Sequence, residues 1–113
     1  MVKLRFETFG ELEVDGKIYY SDMIVWWDGE LEFVKKDHVV GMDDFYRLMR
    51  KEPRFVVIGT GQQGAVIVPQ EIRELVKGRK AKLFEESSGK AVDIFNAFAK
   101  TGKKVVAYIH TTS

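Results

Sequence analysis

The pattern of apolar and polar positions divides the chain into two halves. Up to Val40 the apolar residues alternate, or come in short runs broken by Asp-Gly pairs. Val2, Leu4 and Phe6 alternate with Lys3 and Arg5, the pattern of a half-buried strand. Leu12 to Val14 and Lys17 to Tyr19 flank Asp15-Gly16, and Met23 to Trp27 and Leu31 to Val34 flank Asp28-Gly29. A two-residue hairpin turn needs positive φ at both positions, which Asp-Gly supplies. Two antiparallel hairpins are therefore expected, with Tyr20-Ser21-Asp22 as the bend between them.

Beyond Gly41, helical spacing alternates with short apolar runs. Asp43 or Asp44 can cap a helix that carries Phe45, Leu48 and Met49 on one face. Arg50 and Lys51 suit the negative end of its dipole, and Pro53 closes it. Phe55 to Ile58 is too short for a helix and reads as a strand covered on both faces. A second helix from Pro69 to Lys77 buries Ile72, Leu75 and Val76 and stops at Gly78. Ala81 to Phe84 is a short strand. Ser87 or Ser88 caps the longest helix, whose inward face is Ala91, Ile94, Phe95 and Phe98. Gly102 ends that helix, and Val105 to Ile109 is the last strand.

The second half thus reads β-α-β-α-β, and right-handed crossovers make its three strands parallel. The expected fold class is α/β, with a central mixed sheet whose C-terminal half is parallel. Helices cover the sheet, and the N-terminal antiparallel hairpins extend the sheet or form a small extra β layer. With 113 residues and no repeat, linker or low-complexity stretch, residues 1–113 make a single domain.

Gly59, Gly61 and Gly64 match the spacing of a dinucleotide-binding fingerprint. That fingerprint needs a helix to begin at its third glycine, so that free N–H groups face a pyrophosphate. Ala65-Val66-Ile67-Val68 follows instead, and it looks extended. The glycines are better read as turn residues with positive φ.

Ligands of open α/β sheets bind beyond the carboxyl ends of the strands. Three loops meet there: Gly59 to Gly64, Glu85 to Gly89, and His110 to Ser113. The candidate ligand-binding residues are Gly59, Thr60, Gly61, Gln62, Ser87, Ser88 and His110. Ser87 or Ser88 with His110, oriented by Asp93, is a conceivable nucleophile and base. Helix capping explains the serines equally well, so no catalytic residue is assigned. Glu85 and Glu86 would repel a phosphate, and Lys77, Arg79, Lys80, Lys103 and Lys104 gather at the opposite edge. A neutral polar ligand, or none, is favoured over a nucleotide.

Trp26 and Trp27 are neighbours in a strand and point to opposite faces. One belongs to the core; the other is a candidate partner anchor, unless both faces are covered. The net charge of +1 gives no reason to expect nucleic acid or an anionic membrane. With no cysteine and only His38 and His110, neither a thiolate site nor a zinc site is expected, and no metal or cofactor is implied. No apolar run reaches bilayer length and the first residues lack a signal-peptide core, so the expected compartment is the cytoplasm.

Tyr20-Ser21-Asp22, Ile58-Gly59-Thr60-Gly61, Phe95-Asn96 and Val105-Val106-Ala107 running to His110-Thr111 resemble one family over nearly the whole chain. It consists of small archaeal and bacterial proteins of uncharacterised function. Its relatives include the mammalian adipogenesis-associated domain protein and a mitochondrial complex I assembly factor. The resemblance implies a mixed sheet with a small extra β layer and action through protein partners. It implies no reaction and so no catalytic residue. Members often end in cysteine where this chain has Ser113. The expected function is non-enzymatic protein binding, with Trp26 and Trp27 on the contact face. The alternative is a small polar-ligand site, catalytic or not, at the strand ends.

Overall fold

The computed structural model describes residues 2–6 and 9–112. In chain order its elements are β1 (Leu4–Arg5), β2 (Leu12–Val14), β3 (Lys17–Tyr19), β4 (Asp22–Trp26), β5 (Leu31–Val34), α1 (Met42–Met49), β6 (Phe55–Gly59), α2 (Gln70–Gly78), β7 (Lys82–Glu86), α3 (Ser88–Lys100) and β8 (Val105–Ile109). They form a five-stranded sheet ordered β5-β4-β8-β6-β7 and a three-stranded sheet ordered β1-β2-β3. Strand β6 runs parallel to both β7 and β8, as the β-α-β-α-β pattern predicts.

The hairpins at Asp15-Gly16 and Asp28-Gly29 both form, and both glycines have positive φ. They do not stay together. The second hairpin joins the main sheet through β4, which pairs antiparallel with β8. Only the first hairpin, with β1, makes the small extra layer.

Alternation along the central strands sends residues to two cores. Ile24, Trp26, Val56, Ile58, Val106 and Tyr108 meet Phe45 and Leu48 of α1 and Ile72 and Val76 of α2. Met23, Val25, Val57, Val105, Ala107 and Ile109 meet Ala91, Val92 and Phe95 of α3 and Leu4, Leu12 and Val14 of the small sheet. Strand β8 is buried along its whole length, as a strand covered on both faces must be.

Three local details correct the sequence reading. The N-cap of α1 is Gly41, and Asp44 accepts a hydrogen bond from the Gly41 N–H at 2.9 Å from the third helical position. Strand β7 runs two residues further than Phe84, so Glu85 and Glu86 lie in the strand and Ser87 alone links it to α3. Arg50 and Lys51 neutralise Glu30, Glu32 and Asp28 on the β4–β5 hairpin, and their cations lie 4.6 and 5.8 Å from the Trp26 ring.

Two sheet edges are closed by side chains. Asn96 of α3 acts on β1 as a partner strand would: its Oδ1 accepts from Leu4 N–H at 2.8 Å and its Nδ2 donates to Leu4 C=O at 2.7 Å. Arg47 of α1 donates to Phe33 C=O on β5 at 2.7 Å and to Glu32 at 2.8 Å.

Candidate functional site

The rim at the carboxyl ends of β6, β7 and β8 is a closed hydrogen-bonded knot. Gly59 ends β6 where the start of α3 crosses it. A Cβ there would lie 2.9 Å from Ser88 Oγ, 3.0 Å from Ser88 Cα and 3.2 Å from Ala91 Cβ. Gly59 is therefore a matter of space, while Gly61 and Gly64 do have the positive φ expected of turn residues. Thr60 N–H and Oγ1 both donate to Glu86 C=O, at 2.9 and 3.1 Å.

Ser88 is wholly buried, and its hydroxyl is used in both senses. Its Oγ accepts from Gly61 N–H at 2.9 Å and donates to His110 C=O at 2.5 Å. The helix cap is Ser87, by backbone alone, with no side-chain capping bond. Ser88 is thus a clamp between the glycine loop and the end of β8, where capping was the expectation. The Gln62 side chain is exposed, and its backbone N–H donates to Thr112 C=O at 3.0 Å.

His110 is wholly buried, not a polar strand end at the surface. Its Nδ1 lies 2.6 Å from Asp22 Oδ2, and Asp22 is buried too. The other oxygen of Asp22 accepts from Thr111 N–H at 3.0 Å and Thr111 Oγ1 at 3.1 Å. His110 Nε2 lies 3.3 Å from Thr112 Oγ1, which accepts from Lys36 Nζ at 2.7 Å. The His38 ring stands edge-on, 5.3 Å away.

The structure therefore brings Gly59, Gly61, Ser88 and His110 together and keeps Thr60 and Gln62 at the margin. It does not build the Ser–His–Asp arrangement. The Ser88 hydroxyl meets the His110 carbonyl and not its ring. Asp93 is exposed on α3, and Asp22 meets the imidazole in its place. The rim residues sequence reasoning missed are Asp22, Lys36 and Thr112; Thr111 lies at the rim, as the His110 to Ser113 loop implied. Asp22 had a signal: a carboxyl heads the apolar run Met23 to Trp26, and β4 antiparallel to β8 carries it to the rim. Ser113 lies outside the described residues.

Chemically, Asp22, His110, Thr112 and Lys36 form a series from the interior to the surface. A carboxyl orients an imidazole, which faces a hydroxyl beside an ammonium group. Among the described residues, no cluster of His, Asp or Glu could hold a metal ion. Nearby, burial pushes the Tyr108 phenol far above its ordinary value, and Asp44, Asp22 and Asp37 add to the effect. Among the described residues, its hydroxyl and Trp26 Nε1 have no hydrogen-bond partner. At the opposite rim, a groove of about 280 Å³ is lined by Met49, Glu52, Pro53, Arg54, Arg79 and Lys104.

Trp26 is sealed in the core, while Trp27 is half-buried and packs against both cores. The exposed apolar residues on and beside the N-terminal layer are different ones: Ile18 (46%), Tyr20 (74%) and Phe9 (53%), with Phe33 (57%) of β5 alongside. Tyr19, between Ile18 and Tyr20, has its ring 5.8 Å from Phe33.

A family model described as "Protein of unknown function (DUF498/DUF598)" matches residues 7–110. Among curated proteins, none matches. Solved structures do. A conserved hypothetical protein, PH1505 from Pyrococcus horikoshii OT3, is 21% identical with a TM-score of 0.85, covering 98% of this chain and 99% of that one. MT938 is 21% identical with a TM-score of 0.83 over 100% of both chains. A Mth938-like domain from Bordetella pertussis is 11% identical with a TM-score of 0.79 over 97% and 85%. At these identities the likeness shows the fold alone. Among the described residues, no helix is long and apolar enough to cross a membrane.

Proposed function

The chain belongs to this family of unknown function, and from that premise we propose that it binds a protein partner in an accessory or assembly role. The proposed compartment is the cytoplasm. The observation that carries the reading is the outer margin of the N-terminal layer. Strand β3 ends the small sheet, with Ile18 exposed on it, Tyr20 exposed just after it and Phe33 beside Tyr19. The opposite edge of that sheet is closed by Asn96. An open strand edge with exposed apolar side chains suits a partner that adds an extended segment beside β3. Trp27, at the margin between the two cores, is the remaining candidate anchor of the tryptophan pair.

The rim supports the same reading from the other side. The hydroxyl of Ser88 and the carboxyl of Asp22 are bonded to partners within the fold, as a structural knot requires. The finer kinship of Tyr20-Ser21-Asp22 and Gly59-Thr60-Gly61 with the adipogenesis-associated protein and the complex I assembly factor belongs to this proposal.

The test is retention of proteins from native lysate on the tagged chain and on an Ile18→Ser/Tyr20→Ser variant. The variant should keep its melting temperature and lose a protein that the wild type and Lys90→Ala both hold. Equal retention by all three would remove β3 from consideration.

A second reading keeps a small polar-ligand site, or catalysis, at Gly59, Thr60, Gly61, Gln62, Ser87, Ser88 and His110. The series from Asp22 through His110 to Thr112 and Lys36 favours it. A ligand bound there must raise the melting temperature by mass action. No shift across a panel of neutral and anionic metabolites would count against it.

A further inference from the structure

The five-stranded sheet has two edges, and they are treated differently. Strand β5 has its outer backbone engaged by Arg47 and its flank occupied by the ion pairs of Arg50 and Lys51. Strand β7 ends the sheet on the other side. In its parallel ladder with β6, Lys82 N–H donates to Arg54 C=O and Glu86 C=O accepts from Thr60 N–H, both at 2.9 Å. The alternation of a parallel ladder then turns the backbone groups of Lys82, Phe84 and Glu86 toward β6. Leu83 and Glu85 direct their N–H and C=O groups outward. Helices α2 and α3 cover the faces of β7, and among the described residues no strand pairs with this edge.

The charge along β7 is polarised. Lys77, Lys80 and Lys82 line a groove beside it with Ala81, Leu83, and Glu85, which pairs with Arg73 of α2 at 2.6 Å. Glu85 and Glu86 close its end. The strand carries no proline or bulge, and Phe84 sits at its middle.

We propose that β7 pairs antiparallel with β7 of a second copy of this chain, about a two-fold axis at Phe84. That register is the one in which the outward groups of Leu83 meet those of Glu85 in the other copy, and the reverse, as hydrogen-bonded pairs. Phe84 then faces its own copy in the non-hydrogen-bonded site, where side chains approach most closely. Lys82 stands opposite Glu86 of the other copy, twice by symmetry. The basic start of each strand meets Glu86 at the end of the other, Glu85 being paired with Arg73 of its own chain. A parallel in-register pairing, or an antiparallel one centred on Glu85, would set like charges against each other, which disfavours both. The result is one continuous sheet across two molecules, closed by an isologous interface. A strand edge with its flanking side chains is a small interface, so the expected dissociation constant is on the order of 10–100 µM. This proposal does not depend on the β3 reading, since it concerns the other sheet and a like partner.

Sedimentation velocity up to about 0.5 mM spans that affinity range. The wild type should pass from monomer to dimer across it. Lys82→Glu and Glu86→Lys should each weaken self-association about tenfold, since each sets like charges opposite one another twice. Mixed together, the two variants should form a heterodimer at least as tight as the wild-type dimer. One chain is then acidic at both positions and the other basic at both, so each facing pair has opposite signs again. That rescue cannot come from a change in folding. Leu83→Pro supplies a second probe: it deletes an outward N–H and leaves the bonds to β6 intact. It should give a folded monomer. A wild type that stays monomeric throughout would overturn the proposal. So would a dimer that Lys82→Glu, Glu86→Lys and Leu83→Pro all leave unchanged.

Discussion

The rim of the main sheet and the outer margin of the N-terminal layer lie at opposite extremes of internal satisfaction. At the rim, Asp22 reaches His110 and Thr111, and Ser88 bridges Gly61 and His110, all within the fold. At the margin, Ile18, Tyr20 and Phe33 present apolar surface outward. The difference separates two reasons for a residue's presence. A buried polar group with its partners supplied holds local structure in one arrangement. An exposed apolar group on an open strand gains its burial from something else. The two edges of the small sheet repeat the contrast, with β1 closed by a carboxamide and β3, among the described residues, pairing with β2 alone.

Substitutions should separate the two regions by stability, and the largest effect belongs to the rim. Asp22→Ala strands hydrogen-bonding groups on both His110 and Thr111, so it should cost about 3 kcal/mol or more in denaturant unfolding. Ser88→Ala leaves Gly61 N–H without its acceptor in a buried place and should cost about 1–3 kcal/mol. Gly59→Ala drives a methyl group into Ser88 and Ala91 and should cost about 1–3 kcal/mol by overpacking. At the margin, Tyr20→Ser or Ile18→Ser should change stability by no more than about 0.5 kcal/mol while abolishing partner retention. A rim variant with full stability, or a margin variant that unfolds the protein, would break the contrast.

The smallest effect is the pH dependence of the hairpin's ion pairs. The Lys51 ammonium holds the Asp28 carboxyl below its ordinary value, and the Arg50 guanidinium does the same for Glu30. A folded-state value below the unfolded one stabilises the fold above the ordinary range and ceases to do so in acid. The advantage of wild type over Arg50→Met/Lys51→Met should therefore be present at neutral pH. It should fade as pH falls from the ordinary values of 4.5 and 3.8 down to the lower folded-state values. Melting curves across that interval read it directly, and these exposed pairs should make the difference small.

Much of the fold was legible because local chemistry and tertiary packing agree in this chain. The Asp-Gly pairs set both hairpins, and the buried runs Phe55 to Ile58 and Val105 to Ile109 could only be central strands. What was not legible depended on pairing between distant segments. Nothing local says that β4 lies against β8, so whether the second hairpin extends the main sheet or adds a layer stayed open, and the approach of Asp22 to His110 was hidden. Ser88 looked like a cap because it precedes a helical stretch, but a buried hydroxyl follows the nearest unpaired backbone groups, which here belong to Gly61 and His110. The three glycines looked alike, yet Gly59 is required by the crossing of α3 and Gly61 by its backbone angle. Trp26 and Trp27 drew attention by size. The neighbouring Arg50 and Lys51 cover the first, and the exposed surface falls to smaller residues.

The most direct test of the contrast is lysine crosslinking of the tagged chain in native lysate, read by mass spectrometry. Lys17 and Lys35 adjoin the exposed residues of β3 and β5, Lys90 lies at the rim in the first turn of α3, and all are exposed. Crosslinks to another protein should fall on Lys17 and Lys35 and disappear in the Ile18→Ser/Tyr20→Ser variant. Crosslinks to another protein concentrated on Lys90, and indifferent to that variant, would contradict the account.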